Sequence, residues 1–172
     1  MANLPASNQS YMKSDFQGFL DNNHRIIAKV CRIYTDSTDD FNDYYQECIV
    51  QLWRSFDSFR GASKLSTWTY RVCLNVCLSQ LRSKKRTIPT ENREIPDVVD
   101  EDSALQEERG QELYKAIKLL RESDRAIILL YLEEKSYKEM AEILGITVTN
   151  VGAKVNRVKA QLKKIIDERF GH

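Results

Sequence analysis

The most informative stretch of the chain is SYKEMAEILGITVTNVGAKVNRVK, residues 136–159, which predicts two short helices joined by a glycine turn. Ser136 and Glu139 have capping-box spacing, in which each side chain accepts a hydrogen bond from a backbone N–H at the helix start. Gly145 supplies the left-handed residue that ends the first helix, and Thr147 can cap the second. The stretch therefore predicts a helix-turn-helix.

The second of these helices is amphipathic. Steps of three and four residues predict one buried stripe, formed by Val148, Val151, Val155, Val158 and Leu162. The residues that project outward or flank it combine small side chains with amide and cationic donors: Thr149, Asn150, Ala153, Lys154, Asn156 and Arg157. Such a face suits base edges and phosphates in a major groove. The alternative is an ordinary helical hairpin with a solvated Lys/Arg face, and the hairpin alone leaves both open.

Helical periodicity continues through almost all of the 172 residues, so the fold class is predicted to be all-α, with two small helical domains. A first stripe consists of Phe16, Phe19, Leu20, Ile27, Val30, Cys31 and Tyr34. A second follows the cap candidates Thr38 and Asp39 and consists of Tyr45, Cys48, Ile49, Leu52, Trp53 and Phe56. After a glycine- and serine-containing loop, Ser66 is expected to cap a third long helix.

An acidic segment separates the two predicted domains. Residues 91–112 contain nine acids against Arg93 and Arg109, a net charge of −7, and Pro89 and Pro96 lie in or beside it. Its first half has few large apolar residues and is predicted to be a flexible linker. The expected organisation is a disordered N-terminus at 1–13, a domain at 14–87, the linker at 88–107 and a second domain at 108–170.

Several classes of protein are disfavoured by composition. No apolar run approaches the roughly 20 residues that span a bilayer, and the N-terminus does not resemble a signal peptide, so a soluble, cytoplasmic protein without membrane insertion is expected. The four cysteines match no zinc module and are interpreted as buried reduced thiols. Neither a metal nor a cofactor is expected. An enzyme is disfavoured because no phosphate-binding loop, ligand cluster or nucleophile–base pair is recognisable.

The third helix combines aromatic and basic residues. It begins near Trp68 and Tyr70 and ends in a run of cations, Arg82, Lys84, Lys85 and Arg86. Cations complement the dipole at a helix C-terminus, but four in five residues exceed that need. Rings that stack on bases beside cations that pair with phosphates suit single-stranded or distorted nucleic acid. Trp68 also fits the role of a core anchor, and the two roles are compatible.

Two blocks of the sequence resemble the extracytoplasmic-function sigma factors of bacterial RNA polymerase. DFNDYYQE at 40–47, LW at 52–53, SFRG at 58–61, TWTYR at 67–71, Asn75 and LR at 81–82 resemble their region 2. YKEMAEILGI at 137–146, with Val151 and Arg157, resembles the promoter-reading hairpin of their region 4. The resemblance covers roughly residues 14–86 and 108–168, in the right order and separated by an acidic linker.

This resemblance implies a helical bundle and a helix-turn-helix domain that together bind RNA polymerase core, at its clamp and flap, and promoter DNA. It implies that the exposed side of the second helix docks on the clamp through Asp43, Gln46, Glu47 and Gln51. It implies −10 contacts by Phe59, Trp68, Tyr70, Arg71, Asn75, Arg82, Lys84, Lys85 and Arg86, with Phe59, Tyr70 and Asn75 lining a pocket for a flipped base. The outward face of the last helix would read the −35 element. An anti-sigma factor is a further expected class of partner.

Three positions depart from the family pattern. Thr69 replaces the second of two strand-separating tryptophans, which implies dependence on a well-matched promoter. Gly152 stands where many relatives carry a cation, and close backbone approach to phosphate would be one reason to keep it. Leu120-Arg121 replaces a frequent Leu-Pro. The competing function is a stand-alone operator-binding regulator, which would dimerise and bind a palindrome by itself.

Overall fold

A computed structural model describes residues 6–87 and 108–171, with side chains for 15–85 and 110–171. The predicted linker at 88–107 lies outside the described residues. Every regular element in the described ranges is an α-helix, which confirms the all-α fold class. The helices are α1 (Ala6–Tyr34), α2 (Thr38–Phe56), α3 (Leu65–Thr87), α4 (Glu108–Lys118), α5 (Glu122–Leu132), α6 (Tyr137–Leu144) and α7 (Val148–Arg169).

The N-terminal domain is a bundle in which α1 packs on both α2 and α3. The α1 stripe is buried as predicted, apart from the half-buried Leu20. On α2 the stripe is rotated by part of a turn, because Tyr44 is the buried tyrosine and Tyr45 only half-buried. The same rotation leaves Trp53 41% exposed, with its ring against the edge of Phe16. The prediction that Tyr45 and Trp53 lie on the buried stripe of α2 was therefore wrong.

Two helix starts also differ from the prediction. The N-cap of α2 is Ser37, whose hydroxyl accepts a hydrogen bond from the Asp40 backbone N–H at 3.1 Å, so Thr38 and Asp39 lie inside the helix. Helix α3 begins at Leu65, which places Ser66 in its first turn and not at the cap.

Helix α1 begins at Ala6, within the segment that was expected to be disordered. A packed helix can extend beyond its core contacts because each added residue gains one backbone hydrogen bond.

The C-terminal domain contains the predicted hairpin. The Ser136 hydroxyl accepts from the Glu139 N–H at 3.2 Å, and the Glu139 carboxylate accepts from the Ser136 N–H at 2.9 Å. Gly145 has a φ of 66° and ends α6, and the Thr147 hydroxyl accepts from the Asn150 N–H at 3.2 Å. These local predictions are confirmed.

The buried stripe of α7 is confirmed for Val151, Val155, Val158 and Leu162. Val148 was predicted to belong to it but is 48% exposed. It is the first residue of α7, directly after the N-cap, so it lies at the end of the helix–helix contact.

The two domains pack against each other, with α1 on α4 and α5 and α3 on α6. Polar side chains close this interface. The Tyr34 hydroxyl donates to the Glu122 carbonyl at 2.8 Å, and Lys118 donates to the Thr35 carbonyl at 2.7 Å. Buried Arg125 donates to the Ile33 carbonyl at 3.0 Å. The surfaces that the two domains present to each other are therefore not open to solvent. Among the described helices, none is both long and apolar enough to cross a lipid bilayer.

The capping box of α6 should make stability depend on pH. The hydrogen bond from Lys64 and those from Ser136 lower the pKa of Glu139 from 4.5 to about 2. A lowered carboxyl pKa in the folded state stabilises the protein above the unfolded value, and this contribution is lost as the pH falls through the folded value. Replacing Glu139 with Ala should therefore lower the thermal midpoint near neutral pH, and the difference from the unchanged chain should shrink between about pH 4.5 and pH 2. Glu142→Ala, an exposed acid on the same helix, is the control, and an equal effect there would contradict the assignment.

Candidate nucleic-acid and polymerase-binding surfaces

The outward face of α7 has the exposure that its predicted role requires. Thr149, Asn150, Ala153, Asn156 and Arg157 are exposed. Lys154 is half-buried. The buried valine stripe packs on α5 and α6, so the helix is held from behind while its polar side faces outward. This arrangement allows side chains of α7 to approach another molecule without unfolding the hairpin.

Arg157 also has a structural partner within the domain. Its Nη2 donates to Asp124 Oδ1 at 2.7 Å, and the Asp124 side chain is only 3% exposed whereas that of Arg157 is 55% exposed. Removing a partner from a buried carboxylate leaves an uncompensated charge. Arg157 therefore positions α7 against the first turn of α5. Its guanidinium has this structural role as well as being exposed on the outward face of α7.

Gly152 is not required by packing. A Cβ built at this position would lie 3.5 Å from Tyr137 Cε2, an ordinary van der Waals contact, and the backbone is not in the left-handed region. A glycine inside a helix costs about 0.5–1 kcal/mol relative to alanine. The fold thus gives no reason for the glycine.

The aromatic residues of α3 are buried. Trp68 is 6% exposed and its ring centroid lies 5.2 Å from that of Phe59 and 5.8 Å from that of Phe19. The interpretation of Trp68 as a core anchor is confirmed. Phe59, which is half-buried, anchors the loop between α2 and α3 to this cluster. Thr69, which follows Trp68, is fully buried.

Tyr70 lies under the C-terminal domain. It is 1% exposed, and its hydroxyl donates to Glu133 Oε2 at 3.2 Å, while Lys29 donates to Glu133 Oε1 at 2.7 Å. Burial and the Glu133 carboxylate raise the pKa of the Tyr70 hydroxyl, which stays neutral and available as a donor. Lys135 lies over the tyrosine ring, 5.3 Å from its centroid. The turn that follows α5 therefore covers Tyr70 and joins it to α1.

The three residues expected to form one base pocket have different neighbours in this structure. Phe59 packs on Trp68, Tyr70 bonds Glu133, and exposed Asn75 lines a groove between α2 and α3. Tyr70 and Asn75 are five residues apart on one helix, so at about 100° per residue they point in directions roughly 140° apart. The family resemblance implied one pocket for these residues, whereas helix geometry directs Tyr70 and Asn75 to different sides of α3.

The basic residues of α3 differ in their surroundings. Arg71 and Arg82 are exposed. Lys84 pairs with Asp40 of the same domain and lies 5.5 Å from the Tyr44 ring centroid. Lys85 pairs with Glu122 of the C-terminal domain. The side chain of Arg86 lies outside the described residues. Lys85 was predicted to contact phosphate, but in this structure it is paired with an acid of the C-terminal domain.

The predicted polymerase-docking residues lie along one side of α2. Asp43 and Gln46 are exposed, and Glu47 and Gln51 are half-buried with a hydrogen bond of 3.1 Å between them. An open groove of about 500 Å³ runs between this side of α2 and α3. It is lined by Glu47, Gln51, Ser55, Val72, Asn75, Val76, Ser79, Gln80 and Ser83. The structure therefore brings Glu47 and Gln51, from the docking set, beside Asn75, from the predicted −10 set.

Sequence reasoning missed the acids that close the domain interface. Glu122, Glu133 and Glu139 of the C-terminal domain pair with Lys85, Lys29 and Lys64 of the N-terminal domain, respectively. The pairs join residues 37, 104 and 75 positions apart in the chain. No local pattern could reveal them, because such partners are chosen by domain packing.

Comparison with known proteins identifies the family to which the chain belongs. The model for Sigma-70 region 2 matches residues 19–87, and that for Sigma-70 region 4 matches residues 110–162. The ECF RNA polymerase sigma-E factor of Escherichia coli strain K12 is 33% identical over 150 residues, which cover 79% of this chain and 78% of that protein. The chain belongs to the extracytoplasmic-function sigma factor family. The α1–α3 bundle is therefore region 2, and α4–α7 are region 4.

Three further known proteins are similar to most of the chain, two of them in fold. The ECF RNA polymerase sigma factor SigG of Mycobacterium tuberculosis is 27% identical over 182 residues, covering 89% of this chain but only 49% of its own length. This chain therefore spans about half the length of that relative. The sigma factor RpoE of Bartonella quintana, solved with the anti-sigma factor NepR, has the same fold with a TM-score of 0.76 at 22% identity, covering 89% and 97% of the two chains. CnrH, solved with the cytosolic domain of CnrY, has a TM-score of 0.67 at 18% identity, covering 91% and 90%.

Replacing Gly152 with Ala should stabilise the folded chain. Because the added Cβ fits against Tyr137, the free energy of unfolding should rise by about 0.5–1 kcal/mol, measured by urea denaturation. The matched control is the adjacent exposed position, where Ala153→Gly should lower the free energy of unfolding by a similar amount. A loss of stability in Gly152→Ala would show that the helix is strained there.

Replacing Glu133 with Ala should loosen the contact between regions 2 and 4. The change leaves the buried Tyr70 hydroxyl and Lys29 without their shared acceptor, at a cost of about 1–3 kcal/mol. The expected result is a larger radius of gyration by small-angle scattering and a lower unfolding midpoint. Tyr70→Phe removes only the 3.2 Å hydrogen bond and should have the smaller effect. Equal compactness in Glu133→Ala and the unchanged chain would contradict a role for Glu133 in holding the domains together.

Proposed function

We propose that this chain is an alternative sigma factor that binds RNA polymerase core and directs it to promoters with its own −10 and −35 elements. The observation that carries the proposal is the presence of region 2 and region 4 in order, together with an outward polar face on α7. The activity is binding and targeting, without catalysis by the chain itself, in the bacterial cytoplasm. Its partners are the clamp and flap of the polymerase, promoter DNA and an anti-sigma factor.

Region 4 would read the −35 element as duplex. Thr149, Asn150, Ala153 and Asn156 offer small and amide side chains to base edges, while Lys154 pairs with phosphate. Arg157 contributes in a different way, because its bond to Asp124 fixes the angle of α7. Its role in recognition is to hold the reading helix as well as to approach DNA.

Region 2 would act on the −10 element only after the domains have moved apart. Tyr70 is covered by Glu133, and Lys85 is paired with Glu122, so both residues are engaged by region 4 in the closed arrangement. The polymerase would bind through Asp43, Gln46, Glu47 and Gln51. To separate the domains, it must bind the open arrangement of the chain more tightly than the closed one. Once uncovered, Tyr70 can stack on a base, with Arg71, Arg82 and Lys85 near the phosphates.

The second candidate, a stand-alone operator-binding regulator, is favoured by only one feature, the complete helix-turn-helix of α6 and α7. It leaves region 2 without a role. The two functions differ in their requirement for polymerase, since the regulator would dimerise and bind a palindrome alone.

The decisive experiment is run-off transcription on genomic fragments with bacterial RNA polymerase core, with and without the purified chain. The proposal expects core-dependent, chain-dependent start sites whose upstream sequences share two spaced elements. Asn150→Ala should weaken transcription from those sites roughly 5- to 150-fold, because losing this contact should cost about 1–3 kcal/mol in the free energy of binding to the −35 element. Lys163→Ala, an exposed cation further along α7, is the matched control and should leave the start sites intact.

A second pair of variants tests the polymerase surface. Asp43 on α2 and Asp15 on α1 are both exposed acids. Asp43→Ala should weaken binding to core, measured by fluorescence anisotropy, whereas Asp15→Ala should not. Tight palindrome binding by the chain alone, with no effect of core, would refute the sigma-factor proposal and establish the regulator.

A further inference from the structure

Three cysteine thiols from three different helices meet in the core of region 2. The Sγ atoms of Cys31 (α1), Cys48 (α2) and Cys77 (α3) all lie within 4.8 Å of one another. The Cys31 and Cys48 sulfurs are 3.9 Å apart, and all three residues have no exposed surface. The four cysteines are free, as predicted, but the promoter-binding function uses none of them.

The spacing of the sulfurs is that of ligands around a single atom. Sulfurs bound to one centre at about 2.3 Å, the zinc–sulfur distance, lie roughly 3.8–4.0 Å apart. The Cys31–Cys48 separation of 3.9 Å has this value for a planar or tetrahedral centre, and a pyramidal trivalent centre draws its sulfurs closer together. With all three atoms within 4.8 Å, small side-chain rotations suffice to bring them to one centre.

Charge decides which kind of centre the site can accept. Three thiolates around a monovalent ion carry a net charge of −2, and around a divalent ion −1, whereas around a trivalent centre they are neutral. An uncompensated charge in a buried apolar site is strongly unfavourable. The one cation that is buried among the described residues is Arg125, and its guanidinium is used on the carbonyls of Leu120, Ile33 and Lys118. The neutral complex is therefore the one that suits this core.

We propose that Cys31, Cys48 and Cys77 form a three-thiol site for a trivalent thiophilic centre of the arsenite or antimonite class. With arsenite the reaction is As(OH)₃ plus three thiols giving As(S-Cys)₃ plus three waters. Three As–O bonds break and three As–S bonds form, and each thiol proton leaves with a hydroxide as water. Arsenic and sulfur keep their oxidation states, so no oxidant or reductant is consumed. The product links α1, α2 and α3 at one point.

Cys73 provides an internal control. It is buried like the other three and lies one turn before Cys77 on the same helix, but its sulfur is not part of the three-thiol group. Its backbone carbonyl lies 4.0 Å from the Cys48 sulfur, and its thiol also interacts with that of Cys48, but Cys73 does not belong to the group of three mutually close sulfurs. A substitution at Cys73 keeps this carbonyl and leaves the site complete.

The experiment uses the full chain, reduced and free of metals, titrated with sodium arsenite. Native mass spectrometry measures the stoichiometry, the near-ultraviolet absorbance reports As–S bond formation, and thermal unfolding reports stabilisation. The site should bind one arsenic with the loss of three protons from the chain. Because the ligand joins three helices of the folded state, the unfolding midpoint should rise with arsenite concentration. Loading should be slow, since fully buried thiols require local opening.

Single substitutions then assign the ligands. Residues that merely orient a metal ligand change affinity by about 10- to 100-fold when mutated, so loss of a ligand should cost at least about tenfold. Cys31→Ala, Cys48→Ala and Cys77→Ala should each show this loss, and Cys73→Ala should bind as the unchanged chain does. Helical circular dichroism checks the fold of each variant. If one fails to fold, the stoichiometry and midpoint shift of the unchanged chain still decide.

Three results would overturn the proposal. The first is the absence of a one-to-one adduct or of a midpoint shift in the unchanged chain. The second is a loss of binding in Cys73→Ala equal to that in the other three variants, which would mean non-specific thiol capture. The third is tighter binding of zinc or monovalent copper than of arsenite under the same conditions, which would refute the charge argument.

Discussion

The closed arrangement of the two domains depends on the buried guanidinium of Arg125. From α5 it donates to the Ile33 carbonyl near the end of α1, to the Lys118 carbonyl at the end of α4 and to the Leu120 carbonyl in the turn that follows α4. Helix C-termini leave carbonyls without partners, and burying them unsatisfied is costly. One arginine thus satisfies acceptors of both domains, which is why α1 can end against region 4 and not in solvent.

Weaker contacts surround this centre and determine what the closed arrangement covers. Glu133 bonds Tyr70, and the pairs Lys64–Glu139 and Lys85–Glu122 join region 2 to region 4. Exposed ion pairs contribute little and are screened by salt, so opening requires mainly that the buried contacts be replaced. A binding partner that supplies such replacements can separate the domains. The proposed promoter-reading surfaces and the contacts that hide them are therefore parts of one equilibrium.

The same core that places the surfaces also holds the thiols. Cys31, Cys48 and Cys77 each lie on the buried face of their helix, where a small apolar side chain packs well. Since α1, α2 and α3 all converge on this point, three sulfurs come together without any local sequence motif. Packing alone explains their burial, and the chemistry of three adjacent thiols follows from it.

Most of the features that sequence alone predicted correctly have a cause within one turn of helix, although the starts of α2 and α3 were misplaced. The capping box of Ser136 and Glu139, the left-handed Gly145 and the valine stripe of α7 are local, and they appeared as expected. Family motifs in order determined the two-domain organisation and the family, because they combine many such local features. Even within single helices the phase was less certain, as Tyr44 and Trp53 show, since a rotation by part of a turn depends on the neighbouring helices.

The accessibility of the predicted site residues depends on how the helices and domains pack. Tyr70 is covered by Glu133, Arg157 is engaged by Asp124, and Lys85 is engaged by Glu122. These outcomes depend on partners 33 to 63 residues away along the chain. Periodicity reports which side of a helix is apolar, but it contains no information about which distant side chain will lie against the polar side. That is set by the packing of whole domains.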